Sequence, residues 1–147
     1  MPTTPDPRLF DLLDETNREL VESLPADASS VSRVIGDLIL LVSECPPEGQ
    51  TLQMGQGYLV PDYPATKSVL TTGTPYAMTV DDVDADPAEA RVLEELGFAS
   101  ILLARLEIGG TASWGLVEVY RTEPIPFEAD AIRVAGEILA RTTARAG

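Results

Sequence analysis

The chain has 147 residues, 44% of them hydrophobic and 23% charged, and 24 acids against 10 bases leave it at a net charge of −14. That length and balance describe one soluble domain able to bury a core without staples, while so acidic a surface argues against nucleic acid and membrane as partners. Histidine is absent and Cys45 is the sole cysteine, which removes serine–histidine hydrolysis, intrachain disulfides, zinc clusters and the usual haem ligand.

No apolar run approaches the ~20 residues of a membrane span. Residues 1–7 lack the basic and apolar regions of a signal peptide, so the cytoplasm is the expected location. A helix is predicted over residues 6–24, with Asp6 as N-cap, Pro7 at the first helical position and Pro25 as the stop. Leu9, Phe10, Leu13, Leu20, Val21 and Leu24 recur at helical spacing, interrupted by Asn17. Two uses of that stripe stay open. It packs on its own domain, or it forms a seam with a second chain in which Asn17 fixes the register.

Residues 30–35 and 38–44 are rich in β-branched and apolar side chains and are predicted as strands joined at Gly36-Asp37. Residues 45–49 form a turn, and residues 51–60 a third strand broken by Gly55 and Gly57. A short helix opens after Asp62 and closes at Gly73, with Pro75 beyond it. Residues 75–80 alternate as a strand with Tyr76, Met78 and Val80 on one side.

Asp82, Asp84 and Asp86 mimic the start of a calcium loop, but Pro87 holds the glycine position and Leu93 that of the bidentate glutamate. The same residues read better as a helix start, with Asp86 the N-cap, Pro87 at N1 and Glu89 at N3 in something close to a capping box. No metal is expected.

Residues 99–108 and 111–121 form the organising hairpin, turned at Gly109-Gly110. A two-residue turn predicts that Ile108 faces Thr111, Arg105 faces Trp114, Leu103 faces Leu116 and Ile101 faces Glu118. Alternation then separates Leu102, Ala104, Leu106, Ser113, Gly115, Val117 and Val119, a face for helices to cover, from Ile101, Leu103, Arg105, Trp114, Leu116, Glu118 and Tyr120, which mix apolar, aromatic and charged groups and line a cavity. A last helix over residues 127–145 has Phe127, Ala131, Val134, Ala135, Ile138, Leu139 and Thr142 on its apolar side. Arg133, Arg141 and Arg145 lie towards its end, where they suit the helix dipole.

Several phrases, taken in order, resemble the GAF domain family: Asp62-Tyr-Pro-Ala-Thr-Lys-Ser-Val-Leu-Thr-Thr-Gly-Thr-Pro75, Glu95-Leu-Gly-Phe-Ala-Ser-Ile-Leu-Leu103, Gly110-Thr-Ala-Ser-Trp-Gly-Leu-Val-Glu-Val-Tyr120, and Pro126-Phe127 ahead of the final helix. The resemblance covers most of the chain and is weakest over residues 24–50. It implies an α+β fold with a central antiparallel sheet of five to six strands, terminal helices on one face and shorter helices and loops over the other. In that scheme residues 1–24 are the N-terminal helix, 25–121 the sheet and pocket, and 122–147 the C-terminal helix of a single domain. It also implies a bacterial signalling module that binds a small molecule and acts on an output domain, here either a separate partner protein or one from which the module was excised.

The chain departs from the family's pattern at three points. Arg105 stands where members usually carry proline, Glu128 stands where serine or threonine often begins the last helix, and the asparagine-lysine, phenylalanine and aspartate-glutamate signature of cyclic-nucleotide binders is missing. Lack of histidine disfavours haem, and Cys45 in a proline-rich turn is a poor place to attach a bilin, so no cofactor is expected.

The expected function is thus a non-catalytic sensor that dimerises through its terminal helices. Tyr76, Met78, Arg105, Trp114, Glu118 and Tyr120 would line its pocket, with Arg105 pairing an anionic group and Trp114 stacking on Arg105. Leu9, Leu13, Asn17, Leu20, Leu24, Val134, Ile138 and Thr142 would form the homodimer interface. The alternatives are a dimerisation scaffold whose cavity is filled by its own side chains, and a redox enzyme of the free methionine sulfoxide reductase type. The enzyme would need a resolving cysteine that the chain lacks.

Overall fold

The N-terminal apolar stripe winds into α1 (Pro7–Ser23), the first element of a computed structural model that describes residues 7–46 and 57–146. The N-cap expected at Asp6, the turn beyond Pro46 and most of the third strand fall outside those residues. Two β-branched runs follow as β1 (Ala28–Ile35) and β2 (Leu38–Cys45), and β2 takes the short β3 (Gly57–Leu59) as a neighbour. After a single turn at Val60–Asp62 come α2 (Pro64–Thr72), β4 (Tyr76–Thr79), α3 (Pro87–Leu96), the hairpin β5 (Ser100–Ile108) and β6 (Thr111–Arg121), and α4 (Ala129–Ala146).

All pairings are antiparallel, and the sheet runs β3-β2-β1-β6-β5-β4, so the first and last long strands meet at its centre. Strand alternation sorts the core into two layers. Leu102, Ala104, Leu106, Val117 and Val119 pack under α1 and α4 against Leu13, Leu20, Ile138 and Leu139. Ile101, Leu103, Leu116 and Tyr120 lie on the opposite face with Val69, Leu70, Leu93 and Phe98 of the shorter helices and their links. Each fully buried leucine or isoleucine contributes roughly 1.5–3 kcal/mol.

Most of the residues expected at an interface between chains pack within this one. Leu13, Asn17, Leu20, Leu24, Ile138 and Thr142 are all buried in the single chain, and only Leu9 and Val134 are half-buried. Asn17 is hydrogen-bonded inside the chain. Its Nδ2 donates to Ser43 Oγ at 2.7 Å, its Oδ1 accepts from Ser29 Oγ at 2.6 Å, and Ser43 donates onward to Asp14. A buried amide whose donor and acceptor are both satisfied fastens α1 to β1 and β2. Thr16 and Thr142 join α1 to α4 through their hydroxyls at 2.7 Å. The exposed pairs Arg141–Glu19 and Arg145–Glu15 span the same helices and add little.

The hairpin turn is as expected: Gly109 and Gly110 have φ of +60° and +80° and Ile108 pairs with Thr111. The register beyond it is not. Leu106 pairs with Gly115, Arg105 with Leu116, Leu103 with Glu118 and Ile101 with Tyr120, a slip of two residues caused by extra β6 residues opposite Glu107. Because the slip is even, residues beyond Gly115 keep their expected faces. Inside the irregularity the faces change. Ser113 donates to the carbonyl of Leu70 in α2 at 2.6 Å, while Trp114 packs with the terminal-helix layer.

Candidate functional site

β6 delivers Glu118 and Tyr120 to the face opposite the terminal helices, two residues apart and therefore side by side. β1 brings Ser30 and Ser32 to the same face, next to β6 by the pairs Ser30–Glu118 and Ser32–Leu116. Above them α2 supplies Thr66, α3 supplies Glu89 and Val92, and the edge of the sheet supplies Tyr58, with Tyr63 at the start of α2. Together with Ile39, Leu41 and Leu96 these residues line a partly open chamber of about 40 Å³.

Its polar groups are few and interlocked. Thr66 donates to Glu89 Oε1 at 2.6 Å, and the Tyr120 hydroxyl makes a short hydrogen bond to Glu118 Oε2. Tyr120 also stacks on Phe98 with ring centroids 4.7 Å apart, which fixes the phenol over the strand. Burial pushes the Glu89 carboxyl up from 4.5 to about 7, with further upward pressure from Glu118 and Asp86 against the lowering effect of the Thr66 hydrogen bond. Glu118 moves the same way through burial, opposed by its bond from Tyr120. Tyr120 is raised well above its ordinary value by burial and by the Glu118 charge. Two carboxyls thus face one chamber, the Glu89 one buried and the Glu118 one half-buried, and for both burial favours the protonated form.

Of the six residues expected to line a pocket, this chamber brings together Glu118 and Tyr120 only. Met78 is fully buried in the hydrophobic layer beneath α2 and α3. Tyr76 packs against that layer, and its hydroxyl accepts from the Asp86 backbone N–H at 3.3 Å. Arg105 leans over Gly73 and donates to the Leu70 carbonyl at 3.3 Å. It borders a separate groove of about 280 Å³ between the end of β5 and α4, walled by Ala104, Ile132, Ala135 and Leu139. Trp114 lies across the sheet, where its stacking partner is Arg33, with the guanidinium 4.8 Å from the ring centre, and not the expected Arg105. The groove is roomier, but the chamber alone gathers buried ionisable groups, the more telling mark of a site.

The sequence matches the GAF domain family over residues 8–146. The chain belongs to the GAF family. Solved structures similar to this GAF domain include the blue-light absorbing form of the PixJ GAF domain of Thermosynechococcus elongatus, at 16% identity and a TM-score of 0.78 over 94% of this chain and 84% of that one. The phycocyanobilin-bound GAF domain of a cyanobacterial phytochrome is similar at 19% identity and a TM-score of 0.76, over 94% and 83%. The chromophore-binding domain of the bacteriophytochrome RpBphP3 from R. palustris is similar at 12% identity and a TM-score of 0.77, over 93% of this chain and 55% of that one. At such identities the likeness is one of fold. No curated protein sequence matches the chain.

Sequence reasoning missed Glu89, Thr66, Ser30, Ser32, Tyr58 and Tyr63. Glu89 was assigned to the helix start, and that start is real: Asp86 caps α3 by accepting from Ala88 N at 2.9 Å. The glutamate, however, turns inward and is only 3% exposed. Ser30 and Ser32 did carry a signal, since serines alternating about the buried Val31 mark a polar strip on one face of a strand.

Proposed function

We propose that this GAF domain is a non-catalytic sensor that admits a small molecule to the chamber over β6 and passes its arrival to the terminal helices. The observation that carries the proposal is the pair Glu89 and Glu118 facing one space whose other walls are aliphatic, aromatic and hydroxyl side chains. Core packing alone is better served by apolar residues, because burying a carboxyl costs several kcal/mol unless it is paired. The similar structures named as bilin-bound or chromophore-binding add the precedent of a ligand on this fold.

A covalently attached bilin is not part of the proposal. Cys45, the sole cysteine, sits at the end of β2 among the charges of Arg18, Glu22 and Asp14 of α1, and burial raises its thiol above the ordinary value. It does not line the chamber, and so protonated a thiol is a poor nucleophile. The same facts count against a methionine sulfoxide reductase.

Transmission has a physical route along β6. Arg121, one residue past Tyr120, donates to the carbonyls of Leu24 and Pro25 after α1 and of Ile125 and Pro126 before α4, and stacks over Phe127 at 4.1 Å. A ligand that shifts Glu118 and Tyr120 therefore pulls on a strand whose next side chain grips both terminal helices. Homodimerisation belongs to the same proposal in altered form. With the other seam residues buried, Leu9 and Val134 are the expected apolar contacts left for a second copy. Cytoplasmic residence and a separate output protein complete the proposal, and no helix among the described residues is long and apolar enough to cross a membrane.

A specific observation favours the scaffold alternative: about 40 Å³ holds only two or three waters, whereas drug-sized ligands fill about 300 Å³ or more. A thermal-shift screen of metabolites separates the two. Wild-type protein and a Ser32→Leu variant, whose added methyl groups fill the chamber, are screened in parallel. The sensor requires compounds that raise the melting temperature of the wild type and not of the variant. If no compound distinguishes them, the scaffold is correct.

A further inference from the structure

The shortness of β4 leaves a groove between the edge of the sheet and α4. β4 follows β5 only from Ser100 to Leu103, and Pro75, just before it, has no N–H with which to extend the pairing. Beyond Leu103, β5 has no strand on that side among the described residues. The helix reaches across instead, Thr143 donating to the Glu107 carbonyl at 2.7 Å. The space left over is the groove of about 280 Å³, just under the roughly 300 Å³ at which drug-sized pockets begin. Leu102, Ala104 and Leu139 are buried in its floor, and the exposed Gly136 leaves its rim low. Arg105 and Glu107 are the ionisable residues that line it, and their situations differ. Glu107 is exposed and keeps its water, whereas Arg105 is half-buried. The other arginines of the sheet have ample partners: Arg33 donates to two carbonyls and lies over Trp114, and Arg121 donates to four and lies over Phe127. Among the described residues Arg105 has one hydrogen bond, at 3.3 Å to the Leu70 carbonyl, and no ion pair. A guanidinium carries five N–H donors, so most of those on Arg105 lack a protein acceptor at the mouth of an apolar groove.

We propose that this groove is a ligand site in its own right and takes a small organic carboxylate, with its charged end on Arg105 and its apolar body along Leu102, Ala104 and Leu139. The proposal is independent of the chamber, which shares no lining residue with the groove. A carboxylate presents two acceptor oxygens to the fork of a guanidinium and cancels its charge. A neutral apolar molecule in the same place would strip water from Arg105 and return no acceptor, and an ammonium would add a like charge. Glu107, exposed and screened by solvent, opposes the carboxylate only weakly. The apolar floor supplies the burial that a bare inorganic anion could not use.

The test uses two matched series of probes: hexanoate with hexan-1-ol and hexylammonium, and benzoate with benzyl alcohol and benzylammonium. Each is titrated calorimetrically into the intact protein at pH 7.5 and about 150 mM salt, which screens the surface charge. A net charge of −14 repels anions and attracts cations at long range, so a preference for carboxylate has to come from the site. In at least one series the carboxylate is expected to bind tenfold or more tightly than both counterparts. Arg105→Gln should weaken it at least tenfold and Arg105→Lys by less. Gly136→Leu should abolish it by filling the groove, since a Cβ built at Gly136 meets nothing within 4 Å. Glu107→Gln should not weaken it, and Lys67→Gln, an exposed cation on α2, should leave it unchanged, as should Ser32→Leu in the chamber. Equal or tighter binding of an alcohol or an ammonium overturns the carboxylate assignment. Binding that survives both Arg105→Gln and Gly136→Leu, or that is lost in Ser32→Leu, overturns the location. Failure of both carboxylates to bind at up to about 5 mM overturns the site, and the metabolite screen of the chamber is unaffected by that result. The probe comparison is made on unaltered protein, and leucine is a better helix former than the glycine it replaces, so neither depends on how well an Arg105 variant folds.

Discussion

Glu89→Gln should stabilise the protein, and increasingly so as pH rises. The folded carboxyl titrates at about 7 against an ordinary 4.5, first because it is buried and next because Glu118 faces the same chamber. A group whose affinity for protons is higher folded than unfolded favours the native state fully below about 4.5, and that contribution disappears as pH climbs through 7. At about 1.36 kcal/mol per pKa unit the whole swing is about 3 kcal/mol. Glutamine is neutral throughout and still accepts from Thr66. The variant should therefore match the wild type near pH 4.5 and exceed it by up to about 3 kcal/mol at pH 8, roughly 2–4 °C of melting temperature per kcal/mol. Urea unfolding of both proteins at half-unit steps from pH 4.5 to 8 measures the difference directly, and the general repulsion of a net charge of −14 largely cancels in it. A difference that stays flat across that range would refute the account of Glu89 as a buried, protonated acid.

Three further substitutions probe how the chamber's frame is held. Asn17→Ala removes the amide shared by Ser29 and Ser43, so that Ser29 loses its acceptor and Ser43 loses a donor while keeping Asp14. It should cost about 2–4 kcal/mol in urea unfolding, and a loss below about 0.5 kcal/mol would show the network to be dispensable. Gly73→Ala meets two obstacles, a φ of +78° and a new Cβ 2.5 Å from Arg105 Nη2. The single variant should lose about 1–3 kcal/mol, and pairing it with Arg105→Ala should return the steric share and leave about 1 kcal/mol of backbone strain. Thr142→Val should cost about 1 kcal/mol, because Thr16 loses Thr142 but keeps its bond to the Leu12 carbonyl. An unchanged unfolding midpoint would show that the hydroxyl pair does not hold α1 to α4.

The elements were legible where a local cause sets them. Gly109-Gly110 demands a turn whatever surrounds it, the Asp86-Pro87 start of α3 caps itself, and Gly73 ends α2 in the left-handed conformation. Face assignment was legible too, because strand alternation is insensitive to an even slip, so Glu118 and Tyr120 were placed correctly from a register that was wrong by two. What failed shares one physical origin. The extra β6 residues opposite Glu107 have no local signature, and within them alternation breaks, which carried Trp114 to the terminal helices and Ser113 towards α2. The stripe on α1 could have served a partner chain or a sheet equally well. Only the arrival of Ser29 and Ser43 beside Asn17 decides between them, and those contacts span 12 and 26 residues of sequence.

The same reasoning explains why the chamber's acids were half seen. Glu118 announces itself as a charge among apolar neighbours on a central strand. Glu89 offers the commonest reason for a glutamate near a helix start, and its other use appears only once α3 is laid over the sheet with Thr66 of α2 beside it. A charge that satisfies a local rule hides its tertiary role. An isolated α3 would leave Glu89 in water with an ordinary carboxyl, whereas docking α3 on the sheet strips that water and brings Glu118 into the same space. The proton that Glu89 keeps near neutrality is thus a consequence of the fold closing.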